Sequence, residues 1–254
     1  MLRHIAASLR AQAAMSLRSP MDAMPLLTIP LVAIVGTAVL ASAGRADLRG
    51  YALVACVLMT MGQMAFFVAG EVLAADRSQK VFELLLASPA AYRAQLLARM
   101  ALLTALGSLG MVEGYLLVWL IAGPVQVFHW GVMLATVAAT GIAFTLTAQI
   151  AAAWMCSGRS TRTVQNIISG PLYLLGGVLV PASFLPPFVQ PVSDLLFLSW
   201  SADLLRDTLQ PGSIDHVLPR LAAILVLGAA AGAIGYVWIG RMIERMRVEG
   251  TVSL

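Results

Sequence analysis

The chain has 254 residues and a net charge of +4, and 60% of its residues are apolar while only 11% are charged. Because soluble domains carry about 25% charged residues, this composition excludes an ordinary soluble protein and predicts an all-α polytopic membrane protein. The basic residues lie at the ends of apolar runs rather than in one patch, which argues against nucleic-acid binding.

Residues 1–22 predict an amphipathic interface helix that leads into a single transmembrane domain, 1–254. Apolar residues recur at helical spacing from Leu2 to Leu17, and three arginines precede the first acidic residue. Ala41-Ser42-Ala43 resembles a signal-peptide cleavage site, but the basic region is long for a secretory signal and the apolar run is of spanning length. We therefore expect no cleavage there.

Six apolar runs predict six transmembrane helices. The predicted spans are 24–43, 51–73, 98–122, 130–156, 165–185 and 217–240. The fifth contains Gly170-Pro171, Gly176-Gly177 and Pro181, so we expect it to be kinked or interrupted. Residues 183–216 hold four prolines and four aspartates, and their apolar clusters are too short to cross a bilayer. They predict a re-entrant hairpin of two short helices on the outer face.

Residues 74–97 separate the second and third spans and are rich in charge. An apolar cluster within them, 81–86, is followed by Ser88-Pro89, which ends it. Such a segment is too short and too charged to span, so it predicts a short surface helix with an apolar face available to a partner.

The basic residues also predict the orientation of the chain. With the N-terminus inside, twelve of the sixteen Lys and Arg residues are cytoplasmic. The four that face out are Arg45, Arg49, Arg206 and Arg220. We therefore expect both termini and the 74–97 segment on the cytoplasmic side.

Two stretches resemble the membrane subunit of type-2 ATP-binding-cassette exporters. The first contains Glu71, then Phe82-Glu83-Leu84-Leu85-Leu86-Ala87-Ser88-Pro89 and Tyr92-Arg93, although Lys80-Val81 stands where the family often has Gly-Thr. The second is Pro181-Ala182-Ser183-Phe184-Leu185-Pro186-Pro187-Phe188, followed by Ala202-Asp203-Leu204-Leu205-Arg206. The resemblance implies a multi-pass permease of the bacterial inner membrane, with a cytoplasmic coupling helix at 74–97 and a broken hairpin before the sixth span.

A separate ATPase subunit is the predicted partner. The chain has no Gly-x-x-x-x-Gly-Lys-Ser/Thr loop, so ATP and Mg would be bound by that subunit and no cofactor by this chain. A short helix inserted into a groove of the ATPase is the expected contact, with an ordinary charged loop as the alternative. The candidate contact residues are Arg77, Lys80, Phe82, Glu83, Leu85, Leu86, Ser88 and Pro89.

The predicted substrate is amphipathic, because no charged cluster lines the spans; a drug-like compound, a lipid or a lipid-linked glycan would fit. Two permease copies, identical or related, would enclose the path at spans two and five. The candidate path residues are Gln63, Phe66, Phe67, Glu113, Leu174 and Val178. Phe184 and Phe188 are candidates for an outer gate, with packing against span six as the alternative. Asp203, Arg206 and Asp207 predict a local ion-pair set.

Glu113 lies near the middle of the predicted third span, where a carboxylate costs about 2.5–3.5 kcal/mol. It could line the path or relay a proton, and a hydrogen bond to Gln63 or Gln149 is the structural alternative. Two other functions stay open: a proton-coupled secondary transporter, although no inverted repeat is evident, and a non-transporting scaffold. The sequence shows no Ser/His/Asp constellation or metal-binding motif, so we expect no catalysis by this chain.

Overall fold

The computed structural model describes residues 9–10, 12–14, 20–44, 49–68, 92–155 and 169–249, and the regular structure in these ranges is helical. The helices are, in chain order, α1 (Pro20–Ser42), α2 (Arg49–Gln63), α3 (Tyr92–Gly107), α4 (Gly110–Ala122), α5 (Trp130–Met155), α6 (169–175), α7 (Gln190–Asp194), α8 (Phe197–Asp207) and α9 (Val217–Glu249). A π-helical turn, Met64–Val68, continues α2, and a 3₁₀ turn, Ala182–Phe184, precedes α7.

Within the described residues, four helical stretches are long and apolar enough to cross a membrane. They are Arg49–Phe66, Ala94–Ile121, Trp130–Ala153 and Val217–Arg241, which lie at the predicted second, third, fourth and sixth spans. A shorter apolar stretch, Leu26–Ser42, lies in α1 at the predicted first span. These helices confirm an all-helical membrane protein, while the complete six-span layout stays a prediction.

The predicted third span, 98–122, consists of two helices, because Ser108 and Leu109 form a turn between α3 and α4. The glycines on either side pack closely against α2: a Cβ on Gly107 would lie 2.9 Å from the Cα of Met61, and one on Gly110 would lie 2.6 Å from the Cβ of Thr60. The Ser108 hydroxyl donates a hydrogen bond to the Ala105 carbonyl at 2.6 Å, so it satisfies an acceptor beside the break.

The longest helix pair, α5 and α9, is joined through a row of glycines on α9. A Cβ added to Gly228 would lie 2.5 Å from the Cβ of Ala143, and one added to Gly232 would lie 2.8 Å from the Cβ of Leu146. Small residues let membrane helices approach closely and pack backbone against backbone. The Gly228 and Gly232 spacing in the sequence therefore serves helix packing.

The predicted fifth span is interrupted at the glycines that predicted a kink. Helix α6 ends at residue 175, and Gly177 takes a φ of +68°, which a side chain would disfavour. A Cβ on Gly176 would lie 2.7 Å from the Leu172 carbonyl oxygen and 2.8 Å from the Cβ of Leu198. The chain then continues through two short helices, α7 and α8, before α9 begins.

The loops at the two ends of the bundle are tied by specific contacts. At one end, the backbone N–H of Phe128 donates to the Thr208 carbonyl at 3.0 Å, and His129 Nε2 lies 2.6 Å from the Gly212 carbonyl. At the other end, Arg99 of α3 donates to the buried Gln12 at 2.9 Å. The α7–α8 region and the N-terminal helical residues therefore lie at opposite ends of the bundle.

Candidate functional site

An apolar groove of about 560 Å³ opens between α1, α2 and the segment that follows α6. Its lining residues are Gly36, Val39, Leu40, Tyr51, Ala52, Ala55, Leu179, Val180, Pro181 and Phe184. Tyr51 carries the polar side chain of this set, and the other members are apolar or glycine. The groove therefore suits an apolar or amphipathic molecule with few hydrogen-bonding groups.

Residues 179–184, which form one wall of the groove, come directly after Gly177 and Val178 in the chain. These two residues belong to the Arg206 cluster, which we define as Tyr51, Gly177, Val178, Asp203 and Arg206. Arg206 donates hydrogen bonds to the carbonyls of Gly177 and Val178, the latter at 3.1 Å, and to Asp203 Oδ1 at 3.0 Å. Its guanidinium carbon lies 4.9 Å from the centre of the Tyr51 ring. The cluster thus joins α2, α8 and the break after α6.

Partial burial raises the pKa of Asp203, and the positive charge of Arg206 is the main opposing influence. Burial likewise lowers the pKa of Arg206, while Asp203 favours its charged form. Arginine nevertheless stays charged in proteins. The cluster therefore contains a buried cation, Arg206, whose carboxylate partner Asp203 is 43% exposed.

Glu113 lies in the first turn of α4, shortly after the break at Ser108-Leu109. Its Oε2 is buried and has no hydrogen-bond partner among the described residues. The predicted amide partner Gln149 instead donates to the Leu146 carbonyl at 3.2 Å. A buried acceptor of this kind can bind a proton or a donor group of another molecule.

Among the predicted path residues whose side chains are described, none lines either of the two grooves found in the described part of the chain. Val178 is 1% exposed, Phe66 packs edge-on against Phe144 with ring centres 5.5 Å apart, and Leu174 is 44% exposed. Gln63 is half-buried and lines neither groove described here. The side chain of Phe67 lies outside the described residues.

The two gate candidates have different surroundings. Phe184 lines the groove and is 79% exposed, whereas Phe188 is 81% exposed and does not line it. Among the predicted path and gate residues with a described side chain, Phe184 is therefore the one that lines this groove. A second groove, of about 510 Å³, opens between α3 and α5 beside Ser108 and Thr145, and its described lining includes none of the predicted residues.

Sequence reasoning missed the contribution of α1 and the start of α2 to the groove. Val39 and Leu40 are apolar, as lipid-facing residues also are, so hydrophobic periodicity could not distinguish groove-lining residues from lipid-facing ones. Tyr51 offered a usable signal, because a tyrosine at the start of a span can face either the interface or a partner side chain. The predicted ATPase contacts, from Arg77 to Pro89, lie outside the described residues.

Comparison with known proteins identifies the family. The model of a family described as ABC-2 type transporter matches residues 3–209, which is most of the chain. No curated protein matches the chain significantly. The match covers α1 to α8, and with them both the groove and the Arg206 cluster. The chain therefore belongs to the ABC-2 type transporter family, as a membrane permease component.

Proposed function

We propose that this chain is the permease subunit of an ATP-driven exporter that moves an amphipathic substrate out of the cytoplasm. The observation that carries the proposal is the apolar groove between α1, α2 and residues 179–184. It has the volume of a small-molecule site and an almost wholly apolar lining. A drug-like compound, a lipid or the lipid part of a glycan would suit it.

The proposed topology has six spans in the bacterial inner membrane, with both termini in the cytoplasm. Val68, which ends the π-helical turn after α2, and Tyr92, which begins α3, lie at the end of the bundle where Arg99 meets Gln12. The α7–α8 region lies at the opposite end. The predicted coupling region 74–97 covers most of the connection between the π-helical turn and α3 and also the first six residues of α3, so this arrangement supports a cytoplasmic coupling region and an outer hairpin.

A separate ATPase would bind ATP and Mg and would contact the segment 74–97. Family membership supports this part, because ABC-2 permeases work with an ATPase subunit. Closure of two ATPase subunits on ATP would push the two coupling helices and tilt the permease halves. The eight candidate contacts, from Arg77 to Pro89, remain predictions.

A second permease copy would cover the open side of the groove. Val39, Leu179 and Phe184 are 58%, 48% and 79% exposed, although all three are large and apolar. A symmetric dimer would bury such a patch on both copies at once. The proposed path then runs between the two copies, beside α2 and the break after α6.

The test is co-expression of the chain with candidate ATP-binding-cassette subunits from the same genome, followed by copurification and transport into inverted vesicles. Phe82→Ala and Glu83→Ala should abolish copurification. Phe188→Ala is the matched control, because its exposed ring belongs to the opposite end of the bundle. ATP-independent transport, or equal loss of copurification in all three variants, would refute the proposal.

One observation favours the proton-coupled alternative: the Oε2 of Glu113 is buried and has no hydrogen-bond partner in the part of the chain that the structure describes. In that case transport would follow an imposed pH gradient and would continue without an ATPase. The same vesicles distinguish the two mechanisms when the proton gradient is dissipated while ATP is kept constant. Loss of transport under this condition would favour the role of Glu113.

A further inference from the structure

The interruption after α6 leaves backbone carbonyls without helical partners. The chain turns at Gly176-Gly177, and the carbonyls of Gly177 and Val178 fall where an uninterrupted helix would provide N–H donors. An unpaired carbonyl is costly where it is buried, and both Gly177 and Val178 are buried. The break therefore requires a donor from another part of the chain.

Arg206 supplies that donor from 28 and 29 residues further along. One terminal nitrogen of its guanidinium donates to both carbonyls, and the other donates to Asp203 at 3.0 Å. The side chain is 4% exposed, so the charge is removed from solvent. Hydrogen bonds from a charged donor are stronger than neutral ones, and a fork with two arms can bind both partners at once.

Tyr51 connects the same guanidinium to the start of α2. The guanidinium carbon lies 4.9 Å from the ring centre, within the range of a cation–π contact. Tyr51 also lines the groove, as do Leu179 and Val180 immediately after the bonded carbonyls. The two walls of the groove therefore meet at one buried cation.

We propose that Arg206 is a positioning residue for the groove: it holds the segment after α6 and the start of α2 at a fixed separation. Residues 176–181, α8 and the first turn of α2 then move as one unit when the transporter changes conformation. Phe184 keeps its place in the groove only while the Arg206 cluster is intact. This inference depends on the geometry of the cluster and not on the identity of the substrate.

Hydrogen exchange tests the local part of the proposal on the full chain in lipid nanodiscs. The amides to follow are those of 176–178, which donate to the carbonyls of Leu172, Leu174 and Tyr173. Arg206→Gln should raise their exchange about ten- to a hundredfold, as expected when hydrogen bonds from a charged donor are lost. Exchange in the α5–α9 core should stay unchanged, which separates a local effect from general unfolding.

Arg220→Gln is the matched control. Arg220 pairs with Asp207 at 2.5 Å and so belongs to the same end of the bundle, but its described bonds do not reach residues 176–181. Should Arg206→Gln fail to fold, Arg206→Lys replaces it, since a single ammonium group cannot reproduce the two-armed fork. Equal exchange of 176–178 in the Arg206 and Arg220 variants would overturn the proposal.

Cross-linking tests whether the cluster sets the width of the groove. Val39→Cys and Phe184→Cys place thiols on opposite walls, in a background where Cys56 and Cys156 are replaced by alanine. A short bismaleimide should join them within one chain, and Arg206→Gln should lower that yield severalfold while Arg220→Gln does not. Tyr51→Phe should keep the yield because the ring remains, and Tyr51→Leu should reduce it. An unchanged yield in Arg206→Gln would contradict a positioning role.

Discussion

Gly228→Ala is expected to destabilise the protein through the close contact of α9 with α5. The added Cβ would lie 2.5 Å from the Cβ of Ala143 and 2.6 Å from its Cα. Carbon atoms in contact are ordinarily about 3.5–4.0 Å apart, so the helices would have to separate by roughly 1 Å. Overpacking of this kind costs about 1–3 kcal/mol.

The upper half of that range is expected for two reasons. The Cα of Ala143 is a backbone atom and cannot rotate away, unlike the end of a flexible side chain. Gly232 and Gly235 continue the same contact, with added Cβ atoms 2.8 Å from Leu146 and from Gln149. A shift that relieves Gly228 would therefore loosen packing along the whole row.

The measurement is equilibrium unfolding of the purified protein in mixed micelles, with the denaturing detergent fraction increased stepwise and helicity followed by circular dichroism. Gly131→Ala is the control, because nothing lies within 4 Å of its added Cβ in α5. Alanine is favoured over glycine inside a helix by about 0.5–1 kcal/mol, so this variant should be as stable as the parent or more so. Identical midpoints for the two variants would refute the packing of α5 against α9.

Two functional predictions concern the membrane-embedded residues. Glu113→Gln should leave thermal unfolding unchanged, because the amide has nearly the same shape, but should alter transport by purified protein in vesicles; unchanged transport would remove Glu113 from the mechanism. Val39→Trp should fill the groove and lower both transport and substrate-stimulated ATP hydrolysis severalfold, with little effect on stability since Val39 is 58% exposed. Leu31→Trp on the same helix, 56% exposed and outside the groove, should have no such effect.

The fold class and the positions of the main helices follow from simple features of the sequence. Long apolar runs with charges at their ends place four spans, because the bilayer sets a minimum length. The break at Gly176-Gly177 was also predictable, since adjacent glycines interrupt a helix. The break at Ser108-Leu109 was not, because Gly107 and Gly110 take part in a close contact with α2 that only the folded structure contains.

The candidate site shows a sharper limit. The spacing of Asp203 and Arg206 predicted their ion pair, because residues three apart share a helix face. The bonds from Arg206 to Gly177 and Val178 join residues far apart in the chain, and no local pattern encodes them. The groove itself is lined by apolar side chains, which in a membrane protein are as common on lipid-facing surfaces as in a substrate path.

Three polar side chains of this chain donate hydrogen bonds where its helices break, and each contact has a physical reason. The Ser108 hydroxyl serves the break in the third span, while Arg206 and the Ser193 hydroxyl donate to carbonyls at the break after α6. Because a bilayer offers no water to an unpaired carbonyl, each break is stable only where such a donor reaches it. A transporter needs points at which helices can bend, and in this chain these polar side chains satisfy the carbonyls at two such points. The surrounding apolar residues decide what the resulting groove can bind.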